Sequence, residues 1–375
     1  MRTALAWIVL GLPACTQPFD PALLRRGCDA GDPEDAAAAP DWELETLDSE
    51  GETGKNPSLS LDAEGAAHVA YRDESDAELL HATRGATGWT IDTVEIGGRG
   101  PSLAVAPDGT LHAAYRDASA ADLRHAVSDD EGWRLETVEV DSEGGSAWVP
   151  SLALGPDGAV HIAFGASSGE LRHALGNDGG WTSETVDPGG TVVDPSLAMG
   201  PDGEVHIAYA SGDAGTRALR HASSDGDVWT LETVDSDGDS DAPAIALALD
   251  GVVHIAYPDA SSGALRHAFS DGNGWTLETV DPDGGVWPSL ALASDGWVHV
   301  VYPNTWNGEL RHAIFDGERW TLETVDAGVS MPSLALGADG TIHVAYYGST
   351  DGDLRYARHA GRVGRDPSCD GAPGE

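Results

Sequence analysis

The residues best able to do chemistry in this sequence are histidines, because imidazole binds metal ions and exchanges protons near neutral pH. Thirteen of the 14 histidines form two series in which members stand 44–49 residues apart. The two series are His68, His112, His161, His206, His254, His299 and His343, and His81, His125, His173, His221, His267 and His312. A zinc site needs three or four ligands about 2.1 Å from one ion, whereas each series supplies one side chain per repeat. We therefore expect the histidines to pack and form hydrogen bonds within each repeat, and we expect no metal site.

One acidic segment has the alternating carboxylates of a calcium loop: Asp235, Asp237, Asp239 and Asp241. Its glycine stands at the fourth position instead of the sixth, and no glutamate closes it. A solvated acidic loop is therefore favoured over calcium binding, and we expect no cofactor.

The overall charge excludes two classes of partner. The 375 residues include 63 acidic and 20 basic side chains, which leave a formal charge of −43. Nucleic acids require a basic surface, and anionic lipid surfaces attract basic segments. With so many carboxylates, the pair that a glycosidase requires could lie anywhere, so composition does not decide whether the protein is an enzyme.

A repeated unit must position these side chains. It opens with a proline and recurs seven times, at Pro57, Pro101, Pro150, Pro195, Pro243, Pro288 and Pro332. Such spacing is typical of propeller blades and of helical-pair solenoids. In the fifth unit, residues 243–247, 253–257, 265–268 and 275–280 are short apolar segments separated by turn residues, and none shows helical periodicity.

Four short strands per unit predict an all-β, seven-bladed β-propeller of antiparallel blades, spanning residues 41–363. The seventh unit lacks its last strand, and a matching segment, residues 42–47, precedes the first unit. We therefore expect the N-terminal strand to complete the last blade and close the ring. Within the blades, Arg and Glu recur twelve residues apart on the third and fourth strands, as in Arg172 and Glu184. This spacing predicts that each pair lies directly opposite, with Arg355 facing Glu45.

The tips between the third and fourth strands resemble the Asp-box hairpins of sialidase-superfamily propellers. The fifth unit has Ser270-Asp-Gly-Asn-Gly-Trp275, and the second has Ser128-Asp-Asp-Glu-Gly-Trp133, each one residue shorter before tryptophan than the Asp-box pattern. The whole unit is also similar to propeller repeats of bacterial surface proteins. The resemblance implies the fold over about 320 residues. The arginine triad, tyrosine nucleophile and acid of sialidases, which have six blades, have no assignable positions here.

Residues that break the repeat are the candidate ligand-binding residues, because a side chain present in every blade serves the blade. Turns between strands A and B and between C and D are short, whereas B–C and D–A loops vary and share the other face. The candidates on that face are Trp287, Trp306, Met331, Tyr347, Arg72, Asp73, Arg116 and Asp117. Aromatic rings beside charged groups suit a sugar or peptide ligand.

The N-terminus is typical of an export signal. Residues 1–14 carry Arg2 and a short apolar run, and Leu12-Pro13-Ala14-Cys15 resembles a bacterial lipobox in which Cys15 is lipidated. We expect an acidic, low-complexity tether at residues 15–40 and a C-terminal tail at residues 364–375. Cys28 and Cys369 are candidates for a disulfide or for two free thiols. The predicted location is the bacterial cell envelope through a lipid anchor, otherwise the periplasm or the medium.

Together these patterns favour a monomeric, non-catalytic binding module at the cell surface, with carbohydrate or protein as its ligand. One alternative is a sialidase-like, glycan-active enzyme. Another is a multivalent lectin with sites at the blade junctions, built from the repeated Arg, Glu and Trp. Stoichiometry separates the binding modes, with about one ligand for an asymmetric face and about five or more for a lectin.

Overall fold

The structure, a computed structural model, describes residues 42–361 except 130, 141–148, 178, 214–215, 227, 237–240 and 260. These residues form seven four-stranded antiparallel sheets and no helix. The described part of the chain therefore has no helix that could cross a membrane. The signal, tether, tail and cysteine predictions concern residues outside the described ranges.

Each blade is a meander of strands A to D. Blade one contains β2 (Lys55–Leu61), β3 (Ala67–Asp73), β4 (Glu78–Gly85) and β5 (Gly88–Ile96). Blade two contains β6 (Gly98–Val105), β7 (Leu111–Asp117), β8 (Leu123–Asp129) and β9 (Gly132–Glu139). Blade three contains β10 (Ser151–Leu154), β11 (Val160–Gly165), β12 (Leu171–Asn177) and β13 (Gly180–Asp187). Blade four contains β14 (Thr191–Met199), β15 (Val205–Gly212), β16 (Ala218–Ser224) and β17 (Trp229–Asp235).

The remaining blades follow the same order. Blade five contains β18 (Ala244–Leu247), β19 (Val253–Asp259), β20 (Ala264–Ser270) and β21 (Thr276–Asp281). Blade six contains β22 (Ser289–Leu292), β23 (Val298–Pro303), β24 (Glu309–Phe315) and β25 (Trp320–Ala327). Blade seven contains β26 (Val329–Leu336), β27 (Ile342–Gly348), β28 (Leu354–His359) and, as its strand D, β1 (Glu43–Asp48). The seven-bladed fold and its closure by the N-terminal strand are confirmed.

The core lies between blades, because each blade covers the apolar faces of its two neighbours. In blade five, Ile255 and Tyr257 are fully buried, and they pack with Ala208 and Leu219 of blade four. Strand B is therefore apolar on both faces, and its sequence is an almost continuous hydrophobic run, as in other strands that are buried on both faces. Full burial of such a side chain stabilises the fold by about 1.5–3 kcal/mol.

The innermost strands are joined by serine hydroxyls. The serine after the opening proline accepts a hydrogen bond, 2.9–3.2 Å long, from the backbone N–H of a leucine or isoleucine in the next strand A. The six acceptors are Ser58, Ser102, Ser151, Ser196, Ser289 and Ser333. Blade five carries Ala244 at this position, so the junction between blades five and six lacks the hydroxyl.

Restoring the missing hydroxyl is expected to stabilise the ring. Ala244→Ser adds an acceptor for the N–H of Leu290 at a position that holds serine in the six other blades, and a net hydrogen bond contributes about 0.5–1.5 kcal/mol. We expect a higher urea midpoint with an unchanged slope. The reverse change at an intact junction, Ser289→Ala, should lower the midpoint, and a destabilising Ala244→Ser would contradict this role for the serines.

The predicted pairing of arginine with glutamate is wrong by one residue. In blade three, Arg172 lies opposite Thr185, and Glu184 lies opposite His173. At the blade seven closure, Arg355 faces Thr46 and Glu45 faces Tyr356. Because side chains alternate along a strand, this offset places arginine and glutamate on opposite faces of the blade. The two therefore belong to different networks.

Candidate functional site

The B–C and D–A loops form one face of the ring and are tied together through their backbones. Between blades one and two, Gly97 N donates to Ala77 O at 2.7 Å, and Ala118 N donates to Gly97 O at 2.9 Å. Gly328 makes the same two kinds of bond between blades six and seven, both 2.8 Å long. The frame is thus regular, and variation on this face lies in the side chains.

A ring of strained positions lies where each D–A loop enters strand A. Six of the seven residues that precede the opening proline have a positive φ: Asn56, Gly100, Asp194, Ala242, Trp287 and Met331 (37–56°). Adjacent positions approach closely, since a Cβ on Gly100 would lie 3.0 Å from Val149, the seventh member. Left-handed backbone is uncommon for residues other than glycine and concentrates at functional sites. These positions also hold seven different residue types, unlike the repeated residues around them.

Two tryptophans stand out on this face. Trp306, in the B–C loop of blade six, is 82% exposed, and Trp287 is 44% exposed. The backbone of Trp306 is fixed, because its N–H donates to Oδ1 of Asn304 at 2.9 Å. Asn304 is 1% exposed, and its Nδ2 donates to the carbonyls of Asp283 and Gly284 in the adjacent D–A loop. A rigid loop therefore presents the Trp306 indole to solvent.

The other predicted aromatic and apolar candidates are less accessible. Met331 precedes the opening proline of blade seven, as Trp287 precedes that of blade six, and it is half-buried. Tyr347 is 9% exposed, and its ring lies 5.7 Å from Nζ of Lys55 in blade one. Tyr347 thus joins blades seven and one through a cation–π contact.

The predicted charged candidates hold loop backbone. Arg72 is 3% exposed and donates from Nη1 to Gly98 O at 2.7 Å. Asp73 accepts hydrogen bonds from the N–H groups of the two residues at the start of its turn. In blade two, Asp117 caps the same turn, and Arg116 Nε donates to Ala121 O at 3.5 Å.

The repeated arginine belongs to a junction between blades. Asp281, at the end of blade five, accepts hydrogen bonds from the Tyr302 hydroxyl at 2.8 Å and from Arg311 Nη1 at 2.7 Å, both in blade six. Four junctions have the complete set, centred on Asp187, Asp235, Asp281 and Asp326. Blade two has Tyr115 and Arg124 on Glu95, blade three replaces tyrosine with Phe164, and blade one lacks the arginine.

The repeated histidines and glutamates form the second network. In each of blades one to six, Nδ1 of the strand B histidine lies 3.0–3.1 Å from Nε2 of the strand C histidine. In blade five these contacts extend further: Nδ1 of His267 lies 2.8 Å from Glu278, and the indole N–H of Trp320 in blade six donates to Glu278 at 3.1 Å. Tyr356 replaces the strand C histidine in blade seven and contacts His343. The expected role of the histidines in packing and hydrogen bonding is confirmed.

Asp194 is a titratable group in the ring of strained positions. Burial raises the pKa of Asp194 to about 6, although the Val149 N–H hydrogen-bonds the carboxylate, and the charge of Asp241 acts in the same direction as burial. Asp241 is itself paired with Arg217, whose Nη1 lies 2.7 Å from Asp241 Oδ1. A carboxyl group that titrates near neutral pH could serve as a proton donor.

Replacing this carboxylate is expected to stabilise the protein at pH 7. Because the folded-state pKa lies above the unfolded value, the ionised form carries a penalty at pH 7 that disappears below about pH 4. Asp194→Asn keeps the acceptor for Val149 and removes the charge, so the free energy of unfolding should rise by about 1–3 kcal/mol at pH 7 and by little at pH 4. Asp295→Asn, in a turn on the opposite face, is the matched control. An equal gain at both pH values would show that charge is not the cause.

The candidate calcium loop is described only at its ends. Asp235 accepts hydrogen bonds from Tyr257 and Arg266, and Asp241 pairs with Arg217. Asp237 and Asp239 lie outside the described residues, as do Cys15, Cys28 and Cys369. No group of three or more potential metal ligands occurs among the residues that the structure describes.

Sequence reasoning missed Asp194 and the serine bridges. Asp194 directly precedes an opening proline, as Trp287 and Met331 do, so comparison of this one position across the seven units would have found it. The serine after that proline repeats in six units, which identifies it as part of the scaffold.

Fold and loops together define this protein as a seven-bladed β-propeller with a variable loop face. No protein-family model and no curated protein matches its sequence. Solved structures do match: an ulvan lyase of polysaccharide lyase family PL25 has a TM-score of 0.60 at 14% identity, covering 84% of this chain and 96% of that one. A Hadza microbial sialidase has a TM-score of 0.54 at 16% identity, covering 78% and 75%.

A lectin is also among the similar structures. The Aleuria aurantia lectin, in complex with Fucα1-6GlcNAc, has a TM-score of 0.51 at 14% identity, covering 75% of this chain and 98% of the lectin. The structural neighbours of this propeller thus include sialidase-like and polysaccharide lyase propellers as well as a lectin. At these identities the similarity shows the fold alone.

Proposed function

We propose that this protein is a non-catalytic, carbohydrate-binding propeller that acts at the cell surface, anchored by lipid on Cys15. The observation that carries the proposal is the 82% exposed indole of Trp306 on a rigid loop of the variable face. Exposed aromatic rings stack on the apolar faces of sugars while polar loop groups orient the hydroxyls. Trp287 and Met331 extend this surface, and Tyr347, Arg72, Asp73, Arg116 and Asp117 support the loops from behind.

The structural neighbours support a glycan over a protein ligand. The lectin is bound to a fucosylated sugar, and the two enzymes are named for the glycans on which they act. A single asymmetric site is favoured over sites at every junction, because the repeated Arg and Glu are engaged within the scaffold, as Arg311 and Glu278 are. We therefore expect a stoichiometry of about one glycan per chain.

The test is a glycan array with the purified protein, followed by titration of each ligand that binds. Trp306→Ala should weaken binding at least tenfold, a loss of about 1.4 kcal/mol, without changing the urea midpoint by more than a small amount, because the side chain is exposed. Trp297→Ala is the matched control, since Trp297 lies in the A–B turn of the same blade, on the opposite face. Absence of binding to any glycan by folded protein would refute the proposal.

A glycan-active enzyme is the second candidate, and the position of Asp194 favours it. A carboxyl group with a raised pKa in a strained position is typical of a general acid, and Asp241 lies near enough to influence its ionisation. Incubation of bound glycans with the protein, followed by product chromatography, tests this alternative. Turnover that Asp194→Asn abolishes without reducing glycan affinity would replace the binding proposal with an enzymatic one.

A further inference from the structure

Three departures from the repeat lie at the junction between blades five and six. Ala244 replaces the bridging serine there, and Trp287 and Trp306 lie in the two loops that follow. These loops are in direct contact: a Cβ on Gly284 would lie 2.7 Å from Thr305 Oγ1 and 3.5 Å from Trp306 Cδ1. The close approach explains glycine at position 284 and makes residues 281–287 and 303–309 one continuous surface.

Both loops are anchored from below, so the surface is preorganised. Asn304 holds the carbonyls of Asp283 and Gly284, and Asp281 Oδ1 accepts the N–H of Asp283 at 2.9 Å. Asp281 is itself 1% exposed and bound to Tyr302 and Arg311 of blade six. A ligand that stacks on Trp306 therefore meets loops that need little ordering, which favours affinity.

The charge of this surface limits the ligand. Loops 259–263, 281–287 and 303–309 contain four acidic residues, Asp259, Asp281, Asp283 and Glu309, and no lysine or arginine. The nearby guanidinium of Arg311 is held by Asp281 at 2.7 Å and by Glu309 at 3.2 Å. An anionic sugar would meet the exposed carboxylate of Asp283 without a compensating cation, and like charges brought together oppose binding. The hydroxyls of an uncharged sugar can instead donate to that carboxylate.

We propose that the loops at the junction of blades five and six form a binding site for uncharged sugar rings, with Trp306 as the stacking platform, Trp287 as its flank and Asp283 as the hydroxyl acceptor. This inference rests on the proposed carbohydrate-binding function and specifies its site and its ligand class. It separates this propeller from enzymes whose glycans are acidic.

The test compares neutral glycans with acidic ones: fully methyl-esterified polygalacturonate against polygalacturonate, which share one backbone, and lactose against 3′-sialyllactose. On an array of these and other neutral oligosaccharides, we expect binding only to neutral members, with acidic counterparts at least tenfold weaker. Trp306→Ala should weaken neutral binding at least tenfold, Trp287→Ala and Asp283→Asn should weaken it severalfold, and Trp297→Ala should leave it unchanged. Asp283→Asn should also narrow the difference between neutral and acidic glycans.

Each other outcome overturns a defined part of the proposal. Neutral binding that survives both Trp306→Ala and Trp287→Ala refutes this site and leaves the carbohydrate-binding function standing. Tighter binding of acidic members refutes the ligand class. Folded protein that binds neither class refutes the carbohydrate-binding function and, with it, this inference.

Discussion

Acidification from pH 7 to pH 5 is expected to lower the free energy of unfolding of this propeller by several kcal/mol, and the buried histidine pairs are the main cause. Burial lowers the pKa of His125, His173, His221, His254 and His343 to about 4, and that of His299 to about 3. In most of these pairs the partner imidazole acts in the same direction. A buried histidine pair joined by one hydrogen bond holds a donor against an acceptor, and a second proton would set two donors against each other.

The direction of the pH effect follows from the number of protons that the folded and unfolded states bind. Because these folded-state pKa values lie below the unfolded value of about 6.5, the unfolded chain binds more protons, and stability falls as pH decreases from about 6.5 towards 4. Each histidine with a folded-state pKa of about 4 lowers the free energy of unfolding by about 2 kcal/mol at pH 5. Five of the six histidines belong to histidine pairs, and their combined loss of about 10 kcal/mol exceeds half of the stability of about 5–15 kcal/mol that a domain typically has. Even half of that loss is a large fraction of the total.

Two effects oppose this loss: the charge of −43, since protonated carboxylates repel one another less, and Asp194, whose ionised form carries a penalty at pH 7 that acidification removes. This repulsion acts between exposed groups and is screened at about 1 M salt, where the Debye length is about 3 Å. Urea unfolding of the Asp194→Asn variant at pH 7, 6 and 5 in 1 M NaCl therefore isolates the histidine contribution. A free energy of unfolding that stays constant over this range would contradict the proposed role of the pairs.

A single substitution tests the assignment to a particular blade. His173→Gln keeps a side chain that can accept from His161 and donate to Glu184, but it does not titrate. Proton uptake on unfolding should fall by about one between pH 6 and 5, so the slope of stability against pH should decrease by about 1.2–1.4 kcal/mol per pH unit.

The blades could be predicted from the sequence because each strand carries its own signal. Proline, Asp-Gly turns and short apolar runs mark the boundaries at a fixed period, and the absent last strand of the seventh unit predicted the closure. The register could not be obtained from spacing alone. In blade three the pairing shifts between Leu171, which faces Asp187, and Arg172, which faces Thr185. This bulge allows the adjacent Val186 and Asp187 both to be buried, and residue numbers contain no sign of it.

The candidate site was predictable in part for a related reason. Trp287, Trp306 and Met331 were visible as departures from the repeat, and exposure selects Trp306 and Trp287 among them. The ring of positive φ values was not predictable, because a residue before proline is normally extended. The position of Asp194 could be found by comparing the residue before the opening proline across the units, but its raised pKa could not, because that comes from burial in the strained ring.

Removal of the Asp281 carboxylate is expected to destabilise the protein by about 2–4 kcal/mol, because the Tyr302 hydroxyl loses its buried acceptor and Arg311 keeps only the part-exposed Glu309 as a partner. Asp281 is 1% exposed and binds both Tyr302 and Arg311 across the junction. Asp281→Ala removes a hydrogen-bond partner from both Tyr302 and Arg311. It also removes the acceptor for the N–H of Asp283, which lies in the proposed sugar site, so neutral-sugar binding should weaken as well. The measurement is the urea midpoint at pH 7, with affinity measured on protein that remains folded.

The matched control is Tyr302→Phe, which blade three already contains at the equivalent position as Phe164. This change removes one neutral donor and keeps the ring packing, so it should cost only about 0.5–1.5 kcal/mol. Equal losses from Asp281→Ala and Tyr302→Phe would mean that the hydroxyl and not the charge joins the blades. A closed ring has no free end at which to absorb a defect, so a loss at one junction affects both neighbouring blades. The larger loss is therefore expected at the group that both strands of the next blade share, which is the carboxylate.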